Sequence, residues 1–171
     1  MGKKIATVIT DLFEDVEYTS PKKALEEAGH ELVTIEKEQG NTVTGKSEDT
    51  KVTIDKGIDD VKPEDFDALL IPGGFSPDIL RADDRFVAFA KHFMDEKKPV
   101  MAICHGPQLL ITAKTLDGRG ATGFKSIQVD LVNAGAKFKD EEVVVCQNQL
   151  VTSRTPDDLP AFNRESVKVL G

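Results

Sequence analysis

The stretch PVMAICHGPQLL, residues 99–110, decides how the rest of the chain is read. Val100–Cys104 is an unbroken apolar run, the pattern of a strand buried on both faces of a parallel sheet. A helix begins at once behind it, because Pro107 fits a first helical turn and GPQLLITAKTL continues from there. A strand that turns straight into a helix leaves its last residue at the carboxyl edge of the sheet, where α/β proteins bind ligands. That residue is Cys104. Such a turn is tight, so the residues two before and two after it have to be small, and Ala102 and Gly106 are. This is the pattern of a nucleophile elbow with cysteine in place of serine. Unpaired N–H groups and the dipole at the helix start favour a thiolate there, and His105 puts a base or cation beside it in sequence. A cysteine by itself is most often a small buried apolar residue. The strand, the small residues, the Cys-His-Gly sequence and the helix start together set Cys104 apart. Cys146, within EEVVVCQNQ, has no glycine, histidine or helix start near it and reads as a core or edge-strand residue.

Outward from this stretch, short Val- and Ile-rich runs alternate with longer amphipathic segments, the signature of an α/β fold with a largely parallel sheet. KKIATVIT (3–10), HELVTIEK (30–37) and DALLIPGG (67–74) are strands. YTSPKKALEEAG (18–29) is a helix, with Ser20 as N-cap, Pro21 as first helical residue and Gly29 as the stop. DDRFVAFAKHFMDEKK (83–98) sets Phe86, Phe89, Ala90 and Phe93 on one helical face. NTVTGKSEDTKVTIDKG (41–57) reads as a loop or hairpin on one edge, SIQVDLVNAGA (126–136) as a short helix, and EEVVVCQNQLVTS (141–153) as a hairpin. PDDLPAFNRESVKVLG (156–171) closes the chain as a helix. A single domain over residues 1–171 is expected, long enough to bury a sizeable core.

The 39% apolar and 30% charged composition is that of an ordinary globular protein. A net charge of −8 argues against nucleic acid as a partner. No apolar run approaches the roughly 20 residues of a membrane helix, and MGKKIATVIT alternates into DLFEDVE as a first strand does, not as a signal peptide. Two cysteines without an export signal point to reduced thiols in the cytoplasm. A metal hydrolase needs clustered ligands; His30 opens a strand and His92 lies on a polar helix face, so neither is a metal ligand.

AICHGPQLLI, DALLIPGGFSPDILR, FEDVEYTSP, NAGA and VTSRTPDDLPAFNRE resemble, in order and spacing, the PfpI-type intracellular cysteine proteases of the DJ-1/PfpI superfamily. Within it the chain is similar to Bacillus-type stress proteins described as cysteine proteases. The resemblance runs from Lys3 into the last helix and implies a flavodoxin-like three-layer sandwich with the nucleophile on its elbow. It implies Cys104 as nucleophile, His105 as the catalytic histidine, and an acid from an adjacent subunit just after PGG, which here is Asp78 where many members have Glu. A cap at Ser76, with Pro77 starting a helix and Asp78 complementing its dipole, is an equally good local reading and is compatible with that role. Glu17 matches the family carboxyl that hydrogen-bonds the sulfur. A carboxylate and a thiolate in one pocket do not both ionise cheaply, so the acid keeps a proton and donates it. Glu14 falls on a further acidic position, also readable as a solvated first-turn acid. The amides of Gly74 and His105 match the oxyanion hole. GKSEDT departs from the family's frequent Gly-Lys-His-Gly, so rim contacts there do not transfer. No cofactor is implied.

A class I glutamine amidotransferase needs a histidine far downstream of the cysteine, and this chain has none. Two classes remain. One is a cysteine enzyme, either a peptide hydrolase or a glyoxalase or deglycase acting on dicarbonyls such as methylglyoxal and their protein adducts. The other is a non-enzymatic redox sensor or chaperone-like holdase whose Cys104 is oxidised under stress. An intact Cys-His pair with Asp78 favours the enzyme, because a sensor needs no base. The same elements imply at least a homodimer, with the exposed Phe75 beneath a partner.

Overall fold

The computed structural model describes residues 2–171. In chain order the elements are β1 (Lys4–Val8), α1 (Asp15–Glu27), β2 (Glu31–Glu36), β3 (Thr42–Thr44), β4 (Lys51–Thr53), β5 (Lys56–Gly57) and β6 (Ala68–Ile71). There follow α2 (Ser76–Leu80), α3 (Asp84–Asp95), β7 (Val100–Ile103), α4 (Pro107–Thr112), β8 (Gly120–Ala121) and α5 (Gln128–Asn133). The chain ends with β9 (Lys137–Phe138), β10 (Val144–Cys146), β11 (Leu150–Ser153) and α6 (Leu159–Leu170).

Seven strands form one sheet in the order β10-β11-β7-β6-β1-β2-β5. Every pairing in it is parallel except the edge hairpin β10–β11. Without the two edge strands, the five parallel strands run second, first, third, fourth, fifth in chain order, the flavodoxin-like doubly wound order. Alternation along each strand divides the core in two. Ala6, Val8, Leu69, Ile71, Val100 and Ala102 face α3, α4 and α5. Ile5, Leu70, Met101 and Ile103 face α1 and α6. The expected three-layer sandwich is what the chain forms, and the aromatic stripe Phe86, Phe89, Phe93 of α3 is buried as its spacing requires.

Three local readings are corrected. Helix α1 starts at Asp15, not at Pro21, which lies inside it. The Glu14 amide donates to the Gly73 carbonyl at 3.1 Å, fixing the helix entry by a long-range contact. Ser20 caps nothing; its Oγ accepts from Asn163 of α6 at 2.9 Å. Likewise Ser76 lies within α2 and its Oγ accepts from the Thr10 amide at 2.9 Å, tying α2 to the end of β1. The short parallel pair β8–β9 lies in a segment that carried no strand signal of its own. The 41–57 region, read as a loop or hairpin, forms the hairpin β3 against β4 as a separate two-stranded sheet and ends in β5, which joins the main sheet beside β2.

Candidate active site at the carboxyl edge of the sheet

Cys104 sits one residue beyond β7 with φ at +63°, a left-handed conformation that costs a non-glycine residue about 1–3 kcal/mol and persists only where its surroundings fix it. Here the Cys104 amide donates to Ser153 O at 3.0 Å, and Cys104 O accepts from the Phe124 amide at 2.9 Å. The peptide groups on both sides of the strained residue are therefore satisfied. Gly106 explains the tightness of the turn: a Cβ there would lie 2.6 Å from Ile71 O and 2.9 Å from Ile103 N. Gly106→Ala is expected to destabilise the fold by about 1–3 kcal/mol, as forced overpacking does, measured as a drop in the urea midpoint with unchanged slope; an unshifted midpoint would show that the elbow relaxes freely.

The loop after β6 lies against the elbow. A side chain on Gly73 would overlap the Glu17 carboxyl and come within 2.9 Å of Cys104 Cβ, so only glycine lets the two approach. Gly74 bridges Phe13 as an isolated antiparallel pair at φ +78°, and its amide and that of His105 lie close enough to the Cys104 thiol to favour its ionised form. Glu17 is fully buried. Its Oε1 accepts from the Gly73 amide at 2.9 Å, while Oε2 is buried without a hydrogen-bond partner; the carboxyl group lies beside the Cys104 side chain, across Gly73.

These contacts set where the proton rests. Burial, reinforced by the Glu14 carboxylate, raises Glu17 to about 8. Burial and then an ionised Glu17 push the Cys104 thiol up, against the pull of the His105 and Gly74 amides. The two groups thus oppose one another: a thiolate is favoured only while Glu17 keeps its proton. His105 is half-buried and stacks on Phe124, ring centroids 4.8 Å apart. Burial lowers its proton affinity and Asp78 raises it. Asp78 lies exposed on α2. Its charge is felt by the His105 of the same chain, but through space.

One rim residue was missed. The Lys46 ammonium lies 2.7 Å from Glu14 Oε2, and both Cys104 and Glu17, when ionised, strengthen its hold on its proton, after the larger effect of Glu14. Glu14 is thus paired rather than a solvated acid. Cys146 is half-buried on the edge strand β10, as expected, but Arg119 Nε donates to its sulfur at 3.3 Å. It lies beside Leu150, which pairs with Val100 at the start of β7, the opposite end from Cys104. Cys146 is therefore placed too far along the sheet to resolve an oxidised Cys104. Brief mild peroxide is expected to oxidise Cys104 in excess over Cys146, read by mass spectrometry of the two peptides. Preference for Cys146 would show that its Arg119 contact outweighs the elbow.

A thiol on a strained strand-to-helix turn, backed by a buried carboxyl and two converging amides, defines an α/β protein of the cysteine-elbow class. The chain belongs to the DJ-1/PfpI family, which it matches over residues 3–169. General stress protein 18 of Bacillus subtilis is 71% identical over 170 residues, covering 99% of both chains. From the same organism, YraA, classed by its name as a candidate cysteine protease, is 64% identical over 170 residues, again covering 99% of both. Protein/nucleic acid deglycase 2 of Escherichia coli is 61% identical over 171 residues, covering 100% of this chain and 99% of that protein. The expected kinship with Bacillus stress proteins holds. No described helix is long and apolar enough to cross a membrane.

Proposed function

We propose that the chain is a cytoplasmic stress-protection enzyme whose Cys104 adds to the carbonyl carbon of small reactive aldehydes and dicarbonyls such as methylglyoxal, free or attached to proteins. Cys104 is the nucleophile. The amides of Gly74 and His105 take up the charge developing on the carbonyl oxygen, and His105 moves the proton. Glu17 holds its proton against the sulfur, and Asp78, from a neighbouring copy, orients His105. The observation that carries the choice of substrate is access: only 7% of Cys104 is exposed. An aldehyde of a few atoms reaches such a sulfur, whereas an extended peptide needs an open cleft on both sides of it.

The name of the Escherichia coli relative agrees with this reading, and that of YraA with the peptidase alternative. The first name also includes nucleic acid, so the exclusion drawn from net charge is narrowed. A charge of −8 disfavours a groove for the phosphate backbone, but not reaction of a single modified base. The apolar residues around Asp78 support assembly: Phe75 is 56%, Leu12 47% and Ile79 41% exposed, and a second copy laid over them would bring its own Asp78 to this rim.

Consumption of methylglyoxal and cleavage of a fluorogenic peptide by the wild-type chain, measured side by side, test the reading. Methylglyoxal turnover without peptide cleavage is expected. The reverse result makes the chain a peptidase; turnover of neither, with Cys104 oxidised by peroxide, makes it a redox sensor.

A further inference from the structure

Lys46 belongs to a loop built to hold it. The fully formed contacts run through Asp15, at the first position of α1: its Oδ1 accepts from the Ser47 amide at 2.8 Å and its Oδ2 from the Thr50 amide at 2.9 Å. A side chain on Gly45 would overlap that carboxylate, and Gly45 N donates to Thr50 O at 2.8 Å, closing the loop. Burial disfavours the Asp15 charge, but the hydrogen bonds from Thr50, Ser47 and Glu48 outweigh it and hold the carboxyl well below its usual range. The Lys46 amide in turn donates to Phe13 O at 2.9 Å, and Phe13 is the residue that bridges Gly74. Lys46 is thereby fixed to the same short segment that positions the Gly74 amide against Cys104.

Its ammonium carries three N–H donors. One meets Glu14 Oε2, and the side chain stays about one-third exposed, at 32%, so a ligand in solvent can reach it. The chain as a whole has 30 acidic against 22 basic residues and repels anions at a distance. An anion that reaches Cys104 needs a local cation, and Lys46 supplies one.

We propose that Lys46 is the anion-reading residue of the Cys104 site, and that the carbonyl compounds it favours carry a carboxylate beside the reacting carbon, as 2-oxo acids such as glyoxylate do. This names a substrate class for the function proposed above and rests on it for turnover, though not for binding. In the binding step the Cys104 thiolate adds to the carbonyl carbon and the C=O π pair moves onto oxygen. That oxygen takes back the proton that His105 drew from the Cys104 thiol, giving a hemithioacetal, with nothing oxidised and no other bond broken. The adjacent carboxylate meets the free N–H groups of Lys46.

Two alkylating reagents of nearly equal size separate this reading from a general effect on the thiol. Iodoacetate is an anion and iodoacetamide is neutral; at one pH both see the same thiolate fraction, so the ratio of their rates at Cys104 reports anion preference alone. Rates are read by mass spectrometry of the Cys104 peptide in the wild type, Lys46→Met, Lys46→Gln and Lys46→Arg. Loss of the lysine charge is expected to lower the iodoacetate-to-iodoacetamide ratio roughly fivefold, the size of one charge pair at close range in a solvent-like dielectric. Lys46→Arg should keep the ratio near wild type, and glyoxylate should protect Cys104 from iodoacetamide less well in the Met and Gln variants. An unchanged ratio in whichever of those two folds, or an arginine variant that behaves like methionine, overturns the inference. Alkylation needs no turnover. A chain that turns over no aldehyde yet shows the fall in ratio refutes the proposed function and leaves Lys46 as an anion reader; turnover with an unchanged ratio does the opposite.

Discussion

Cys104→Ser is expected to abolish methylglyoxal turnover, a loss of about four orders of magnitude or more, as for removal of a nucleophile that acts as a unit with its base. Asp78→Asn should cost about a hundredfold or more, because an imidazole acting as base loses the carboxylate that fixes its tautomer and steadies the imidazolium. The informative result comes from mixing the two variants. Within one chain Asp78 acts on His105 only through space, and it stands among the exposed side chains of Phe75, Ile79 and Leu12. If a second copy covers that patch, each site joins Cys104 and His105 of one chain to Asp78 of the other. A hybrid of the two variants then contains one site with both halves intact, and mixing restores part of the activity. The measurement is turnover after equilibration, with subunit exchange verified by native mass spectrometry of differently tagged chains. Confirmed exchange without recovered turnover, or a fully active monomer, means that the Asp78 of each chain serves its own histidine or none.

The second large effect concerns stability. Glu17 titrates at about 8 in the folded chain against an ordinary value of 4.5. Between those values the folded state holds a proton that the unfolded state has released, so stability falls as pH rises from about 5 to 8 and the cost is complete above that. A shift of this size corresponds to a loss on the order of 5 kcal/mol by pH 9. Glu17→Gln keeps an oxygen for the Gly73 amide and puts an N–H toward the sulfur. It is expected to be more stable than the wild type at pH 9, with a flatter pH profile in urea unfolding. Its Cys104 should also alkylate at lower pH, because the negative charge that opposes the thiolate is gone. Equal pH profiles of stability and of alkylation in the two proteins would remove Glu17 from its place at the sulfur.

Much of this was legible in single stretches of sequence. The elbow could be read because strand, small residues and helix start follow one another directly, and the α3 stripe because helical spacing is local. What escaped notice was decided across the chain. Ser20-Pro21 is a strong local start signal, yet α1 begins six residues earlier because Glu14 and Asp15 are engaged by the Gly73 loop and the 45–50 loop. Ser76 reads as a cap and instead takes the Thr10 amide, 66 residues away. Lys46 stands in GKSEDT, which departs from the family's frequent Gly-Lys-His-Gly, so the resemblance carries no role to it. Its place follows from Asp15, and no spacing rule links a helix-start aspartate to amides more than 30 residues on.

The bond from the Cys104 amide to Ser153 O also orders events during synthesis. Glu17, Lys46 and Gly73–Gly74 all precede the cysteine in the chain, so its acid, its cation and one of its two amide donors are already made when it emerges, and the other belongs to the next residue. The strand that locks its backbone, β11, comes some fifty residues later. Until that strand pairs with β7, the growing chain carries a thiol with its chemical neighbours in hand and its strained backbone unclosed. A ribosome stalled before Ser153 would therefore display a cysteine that is not yet shielded, and the guarding of the nucleophile waits on a strand made well after it.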